Sequence, residues 1–235
     1  GYRANAIVFS DLSDIRPRAV YFDGETVAEA GVPLFDRPAK MPESLLRSVN
    51  VSPIEVDRIR PMVSDRMIAV GAIAGQIVTR KLEVEPKADA GRLTSDVERD
   101  LLKLVVVERH HQTGRIGVGL VNGFGLKAGA LASSIAHDAH NIVAVGVDDD
   151  DILLAIQTVV QMHGGLAAVR EQEVQASLPL PIAGILSPRP LEEVTEQYEA
   201  LEDVARSLGS TVPSPFGLLS FMALSVIPAA RVTDQ

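Results

Sequence analysis

Two histidines close to a carboxylate form the most chemically capable cluster in this sequence. His137 and His140 lie three positions apart, with Asp138 between them and Asn141 directly after. Imidazole and carboxylate groups in such a cluster can bind a metal ion or hydrogen-bond a polar ligand. The spacing does not match the common zinc signatures, and the chain has no cysteine ligand. A polar turn whose histidines satisfy backbone groups explains the cluster equally simply.

A second polar cluster directly follows the apolar run Leu101–Val107. It consists of Glu108, Arg109, His110 and a further histidine at position 111. Loops at strand ends often carry functional residues, so this cluster can mark the opening of a pocket. The alternative is a solvated strand end in which Glu108 and Arg109 pair with each other or with neighbours.

Two other patterns carry weaker signals. Gly117, Gly119 and Gly123 fit a dinucleotide-binding fingerprint that is one residue too long, and no helix clearly follows them. We therefore favour tight turns and close backbone approach at these glycines over a phosphate cradle. The acidic run Asp148–Asp151 lacks the alternating spacing of a calcium loop and is typical of a helix start.

Composition excludes several classes of partner. The 22 basic and 31 acidic residues give a net charge of −9. This charge argues against binding to nucleic acid or to an anionic membrane surface. The longest apolar stretch, around residues 217–230, is too short and too interrupted to span a bilayer. The absence of cysteine is compatible with a reducing compartment, and we expect a cytoplasmic protein.

The elements that must position the polar clusters indicate an α+β fold. Residues 1–32 predict the strands of an incomplete β domain, with a hairpin turn at Asp23-Gly24. Three strands there cannot bury both faces, so they require a partner that this chain does not supply. Residues 33–62 carry five prolines and predict a linker that wraps a surface, with one helical turn around Ser44–Arg47. The ends of the chain suggest a piece of a longer protein.

Residues 63–235 predict a mixed sheet with packed helices. We expect strands at Met67–Val78 and Leu101–Glu108, because both runs are short and apolar. A helix is expected from the acidic run to His163, with Gly164 as its left-handed stop. A second helix is expected over Leu191–Leu208. Strands and helices mix without βαβ alternation, which favours α+β over a doubly wound sheet.

Several blocks of the sequence resemble one known family. Residues 108–114, 123–130 and 132–141 are similar to the C-terminal domain of bacterial-type adenine deaminases, and so are residues 178–184 and 219–228. The resemblance runs from about Arg66 to Asp234. Residues 1–31 resemble the closing strands of the small β domain of amidohydrolases. Ala139 departs from the pattern, because the family usually has a serine there.

The resemblance implies hydrolysis of adenine to hypoxanthine and ammonia. It places a divalent metal ion, manganese, iron or zinc, in an upstream barrel with an early His-x-His pair, and this chain contains no such pair. No metal ligand is therefore assigned here. Adenine as the substrate and a homo-oligomer are also implied.

From the resemblance and the clustering we hypothesise that residues 137–141 form a loop over the barrel mouth. His137, Asp138 and His140 would act as the lid or contact the substrate, with Asn141 in substrate binding. Glu108, Arg109 and His110 would anchor the loop and contribute to substrate binding. The alternatives are a structural or dimerisation domain with no residue in the active site, and an independent small-ligand binder.

Overall fold

The computed structural model describes residues 1–13, 15–36 and 42–235. These residues form two compact units, one before and one after the undescribed segment 37–41. That segment belongs to the predicted linker and lies outside the described residues. No helix in the described ranges combines the length and the apolar character that crossing a bilayer requires.

The first unit is a four-stranded antiparallel sheet in sequential order. Its strands are β1 (Ala6–Phe9), β2 (Pro17–Phe22), β3 (Glu25–Glu29) and β4 (Val32–Pro33). The predicted hairpin turn is confirmed, since Asp23 and Gly24 have positive φ angles of 50° and 86°. Within this unit large apolar side chains remain exposed, including Ile7, Phe22 and Phe35.

The second unit is built on an eight-stranded sheet. Its strands and helices, with a separate two-stranded ribbon β7–β8, are α1 (Glu43–Leu46), a 3-10 helix (Val56–Ile59), β5 (Met67–Gly71), β6 (Arg80–Val84), β7 (Ala88–Asp89), β8 (Arg92–Leu93), β9 (Leu101–Val107), β10 (Ile116–Asn122), β11 (Ala130–Ser133), β12 (Ile142–Gly146), α2 (Asp149–Gln161), β13 (Gly165–Arg170), β14 (Glu173–Pro179), α3 (Leu191–Ser207) and α4 (Pro215–Leu219). The strand order is β14-β13-β11-β12-β9-β10-β5-β6, and among these pairs only β10 and β5 are parallel. This mixed sheet with segregated helices confirms the α+β class.

Strand β9 runs through the middle of the sheet and separates two apolar layers. Leu102, Leu104 and Val106 face the core beneath α3 and α4. Val105 and Val107 alternate with them and face the core beneath α2. Residues 49–59 cover this second core, where Ile59 is fully buried. The sheet is therefore covered on both faces, and the end of β9 lies between the two apolar layers.

The predicted secondary structure differs from the structure in two places, and the first is the β domain before the linker, where three strands were expected and four are present. The strand expected over Met67–Val78 is wrong beyond Gly71, because the chain turns at Gly75, where φ is +70°, before β6 begins. The helical turn expected at Ser44–Arg47 is confirmed one position earlier, at Glu43–Leu46.

The acidic run is a helix start, as predicted. The Asp148 carboxylate accepts hydrogen bonds from the backbone of Asp150 at 2.9 Å and of Asp151 at 3.4 Å. The Asp151 carboxylate accepts from the backbone of Glu171 and Gln172 in the β13–β14 turn. These acids therefore hold backbone groups in place.

Candidate functional site

Glu108 organises the loop that leaves β9. Its side chain is 7% exposed and accepts hydrogen bonds from the backbone of His110, His111 and Thr113, and from the Thr113 hydroxyl. Burial alone would raise the pKa of this carboxyl, but the four donors outweigh burial and lower it to about 2. Glu108 is therefore ionised at neutral pH and closes its own loop.

Arg109 fastens three separate segments through their carbonyl oxygens. Its guanidinium donates to the backbone carbonyls of His140, Ser48 (3.3 Å) and Ala183 (3.1 Å). The residue is 2% exposed, and burial lowers its pKa. Within the described residues no carboxylate lies at ion-pair distance from it. The rigid planar fork of arginine suits several fixed acceptors at once, so Arg109 fixes the backbone around His140.

His110 supplies a further tie to the same loop. Its Nε2 donates to the Ala139 carbonyl at 2.7 Å, which leaves Nδ1 as the acceptor nitrogen when the ring is neutral. Its own carbonyl accepts from the Asn50 side-chain amide at 3.3 Å. Arg109 and His110 thus hold the loop between β11 and β12 directly, whereas Glu108 holds the segment that carries them.

That loop is also held at its other end. The Ser134 hydroxyl donates to the Gly184 carbonyl at 2.6 Å, and the His137 backbone donates to the Ser220 carbonyl at 2.7 Å. The His140 backbone donates to the Ala136 carbonyl at 2.6 Å. With both ends fixed, the side chains of the loop are free to face outward.

The imidazoles of the loop lie edge to face. The ring centroids of His137 and His140 are 5.6 Å apart, and the His137 ring lies 4.8 Å from that of Phe221. Burial lowers the pKa of His140, and the nearby His137 and Arg109 act in the same direction. His140 Nδ1 is buried and has no partner among the described residues. His140 therefore stays neutral at neutral pH.

An open cleft of about 530 Å³ lies beside the loop. This volume is within the usual range for small-molecule sites. Its polar lining includes His137, Asp138, Asn141, Ser225 and Asp234. His140 lies behind this lining, and residues 108–110 support it from the strand end, so only part of the predicted set faces the cleft.

The far wall of the cleft comes from the segment 232–235. Gly117 and Gly119 leave room for it, because a Cβ at Gly117 would collide with the Thr233 carbonyl and one at Gly119 would lie 2.6 Å from a Val232 methyl. Close backbone approach is therefore the reason for this glycine pair, as expected, and the phosphate-cradle alternative is wrong. The Asn141 side-chain amide donates to an Asp234 carboxylate oxygen at 3.0 Å and links the segment to the loop.

Sequence reasoning missed Asp234, Ser225 and Phe221 in this site. They approach the loop only through tertiary structure, and no local motif surrounds them. The metal-site alternative for His137 and His140 does not fit the donor set, because the described residues contain no group of three or more histidine, aspartate or glutamate side chains placed to hold a metal ion.

Comparison with known proteins identifies the family to which this chain belongs. Residues 76–235 match the family model described as the adenine deaminase C-terminal domain. This chain belongs to that family. Adenine deaminase from Dehalococcoides mccartyi is 48% identical to it over 235 residues, adenine deaminase 2 from Carboxydothermus hydrogenoformans 43% over 236, and adenine deaminase from Methanothrix thermoacetophila 42% over 237.

Each of these three matches covers all of this chain and 41% of the relative. The chain thus spans about two fifths of the length of the curated adenine deaminases that it resembles. The recognition made from sequence blocks between residues 108 and 228 is confirmed. The cleft, the loop and the arginine anchor all lie within the matched adenine deaminase C-terminal domain.

Proposed function

We propose that this chain is the part of an adenine deaminase that closes the active site, with residues 137–141 as the closing loop. The overall reaction would convert adenine and water to hypoxanthine and ammonia. The observation that carries the proposal is the cleft, into which His137, Asp138 and Asn141 project from a loop whose backbone is fixed by buried residues. Fixed polar groups with unused hydrogen-bonding capacity are what a substrate-contacting loop requires.

The roles divide by position. His137, Asp138 and Asn141 would contact the substrate, while Glu108, Arg109 and His110 are positioning residues that hold the loop. The neutral His140 ring would support His137 from behind. Closure of the loop would exclude water from the reacting centre and leave hydrogen bonds to the purine edge in a low-dielectric environment.

The upstream part of the protein belongs to the same proposal. A barrel would hold the divalent metal ion, manganese, iron or zinc, which in this class of reaction activates a water molecule. The described residues do not supply the ligands for it, so no step is derived through the metal. A homo-oligomer and a cytoplasmic location also stay predictions.

The proposal is tested by His137→Ala and Asp138→Ala in the full-length enzyme, with steady-state kinetics on adenine. We expect kcat/KM to fall at least about tenfold in each, the usual effect of losing a hydrogen bond to a reacting or charged group. His163→Asn is the matched control, because His163 is exposed and has a φ of 59° that asparagine tolerates.

Unchanged kcat and KM in both cleft variants would reject the closing loop and favour the purely structural or dimerisation role. Hydrogen exchange gives an independent decision. A substrate analogue should protect the backbone of residues 137–141 in the full-length enzyme. Absence of protection at saturating analogue would place the loop outside the active site.

A further inference from the structure

The wall of the cleft opposite the loop is also held by hydrogen bonds. The Arg231 guanidinium donates to the Thr79 hydroxyl and to the carbonyls of Ala230 and Ile77, the last at 2.6 Å. The Thr79 hydroxyl donates to the Ala230 carbonyl at 2.9 Å. Thr79 is 7% exposed, so its bonds lie largely away from solvent. They fix the chain just before Asp234.

The Asp234 carboxylate has one defined partner in the described residues. One of its oxygens accepts from the Asn141 side-chain amide at 3.0 Å. The carboxylate lines the cleft, and its second oxygen makes no hydrogen bond within the described chain. Asp234 is thus held in orientation while retaining acceptor capacity toward the cleft.

The charged side chains that line the cleft are both acceptors. Asp138 and Asp234 contribute carboxylates. Asn141 is 6% exposed, and its side-chain oxygen is buried without a partner in the described residues. No lysine or arginine lines the cleft among the residues that the structure describes. An environment of this kind favours a ligand edge that donates N–H groups and disfavours one that presents a carbonyl oxygen.

We propose that Asp234 is a specificity-determining residue that accepts a hydrogen bond from the amino group of an aminopurine. This inference rests on the proposed function. The exocyclic amine of adenine donates two N–H groups, whereas hypoxanthine carries a carbonyl oxygen at the same ring carbon. A carboxylate facing that oxygen would place two acceptors against each other. The cleft therefore prefers adenine, the substrate, over hypoxanthine, the product.

The test is Asp234→Asn in the full-length enzyme. An asparagine oxygen can still accept from Asn141, so the substitution keeps the tie to the loop while it removes the charge and replaces the second carboxylate oxygen with an NH2 donor. We expect the KM for adenine to rise about tenfold, with inhibition by hypoxanthine unchanged or tighter. Asp89→Asn is the matched control, because Asp89 is exposed in β7.

An unchanged ratio of the adenine KM to the hypoxanthine inhibition constant would overturn the assignment. The ratio stays unchanged when neither constant moves, and also when both weaken equally, as loss of a merely structural support would make them do. If His137→Ala lowers turnover while Asp234→Asn leaves this ratio unchanged, the closing loop stands and the role of Asp234 falls. Asp234→Ser, with a smaller side chain, provides a second variant should the asparagine variant fold poorly.

Discussion

Two buried cations lie six positions apart, one near the beginning of β9 and one just beyond its end, and they are paired in opposite ways. Lys103 lies inside β9, is fully buried, and forms an ion pair with Asp149 at the start of α2. Arg109 follows the same strand and donates to three backbone carbonyls, with no carboxylate at ion-pair distance in the described chain. The first neutralises a helix start, and the second fixes backbone.

The acidic side chains near these two cations also differ in whether their hydrogen-bonding capacity is used. Asp149 is occupied by Lys103 and by the Arg60 Nε, which lies 2.7 Å away, while Asp148 and Asp151 hold backbone donors. Near Arg109, fixing the loop through carbonyls leaves the Asp138 side chain exposed at the cleft. An acidic run is therefore a poor guide to function, and unsatisfied polar groups held by a rigid backbone are a better one.

The largest expected effect is that of Arg109→Lys. A lysine has no planar fork and cannot reach three separate carbonyls, so buried acceptors lose their partners. We expect the free energy of unfolding to fall by about 3 kcal/mol and the turnover of adenine to fall with it. Urea unfolding and steady-state kinetics of the full-length enzyme measure both.

Arg115→Lys is the control for loss of an arginine on the same loop. If Arg109→Lys unfolds with the same free energy as the wild type, the guanidinium does not hold the three segments together. Lost stability with full activity per folded molecule would show that the backbone near His140 does not position the site.

Lys103→Met should lower stability without lowering turnover, in contrast to Arg109→Lys. Burial lowers the pKa of this lysine, while the hydrogen bond and charge of Asp149 raise it. Methionine fills much of the same volume, and Asp149 keeps its bond to Arg60. Removing one partner of a buried pair still costs stability, about 2 kcal/mol with the second cation present. Turnover per folded molecule should be unchanged.

Thermal or urea unfolding, combined with kinetics corrected for the folded fraction, checks this variant. Arg60→Met, which removes the more exposed partner of Asp149, is the matched control and should cost less. A Lys103→Met enzyme that folds fully yet turns over adenine slowly would mean that the start of α2 also acts on the active site.

The sequence predicted local features of the structure, but it did not predict which distant groups pair with Lys103 and Arg109. Local patterns were sufficient for the Asp23-Gly24 turn, the start of α2 and most of β9, because capping, turn geometry and periodicity act over a few residues. The cluster at residues 137–141 could be found from residue type alone.

Contacts between distant segments could not be predicted. Asn141 and Asp234 are 93 positions apart and meet only because the chain crosses Gly117 and Gly119. The three carbonyls that accept from Arg109 likewise come from three separate segments. Such partners depend on sheet order and register, and neither is encoded in a local pattern.

The smallest expected effect is that of Glu108→Gln, and it depends on pH. The folded pKa of about 2 lies below the ordinary value of 4.5, so the unfolded chain binds the proton more readily. The stability from the ionised form is therefore fully present above about pH 5 and is lost as the pH falls toward 2. At pH 7 the variant should be less stable by about 1–2 kcal/mol, because an amide accepts the loop hydrogen bonds less strongly than a carboxylate.

Urea unfolding of the full-length enzyme and of Glu108→Gln between pH 7 and pH 3 measures this difference. The two free energies of unfolding should converge as the pH falls, because protonation removes the advantage of the carboxylate. Glu98→Gln is the control, because the Glu98 side chain takes no part in the hydrogen bonds that Glu108 accepts. A constant gap across this range would mean that the charge of Glu108 does not stabilise the loop.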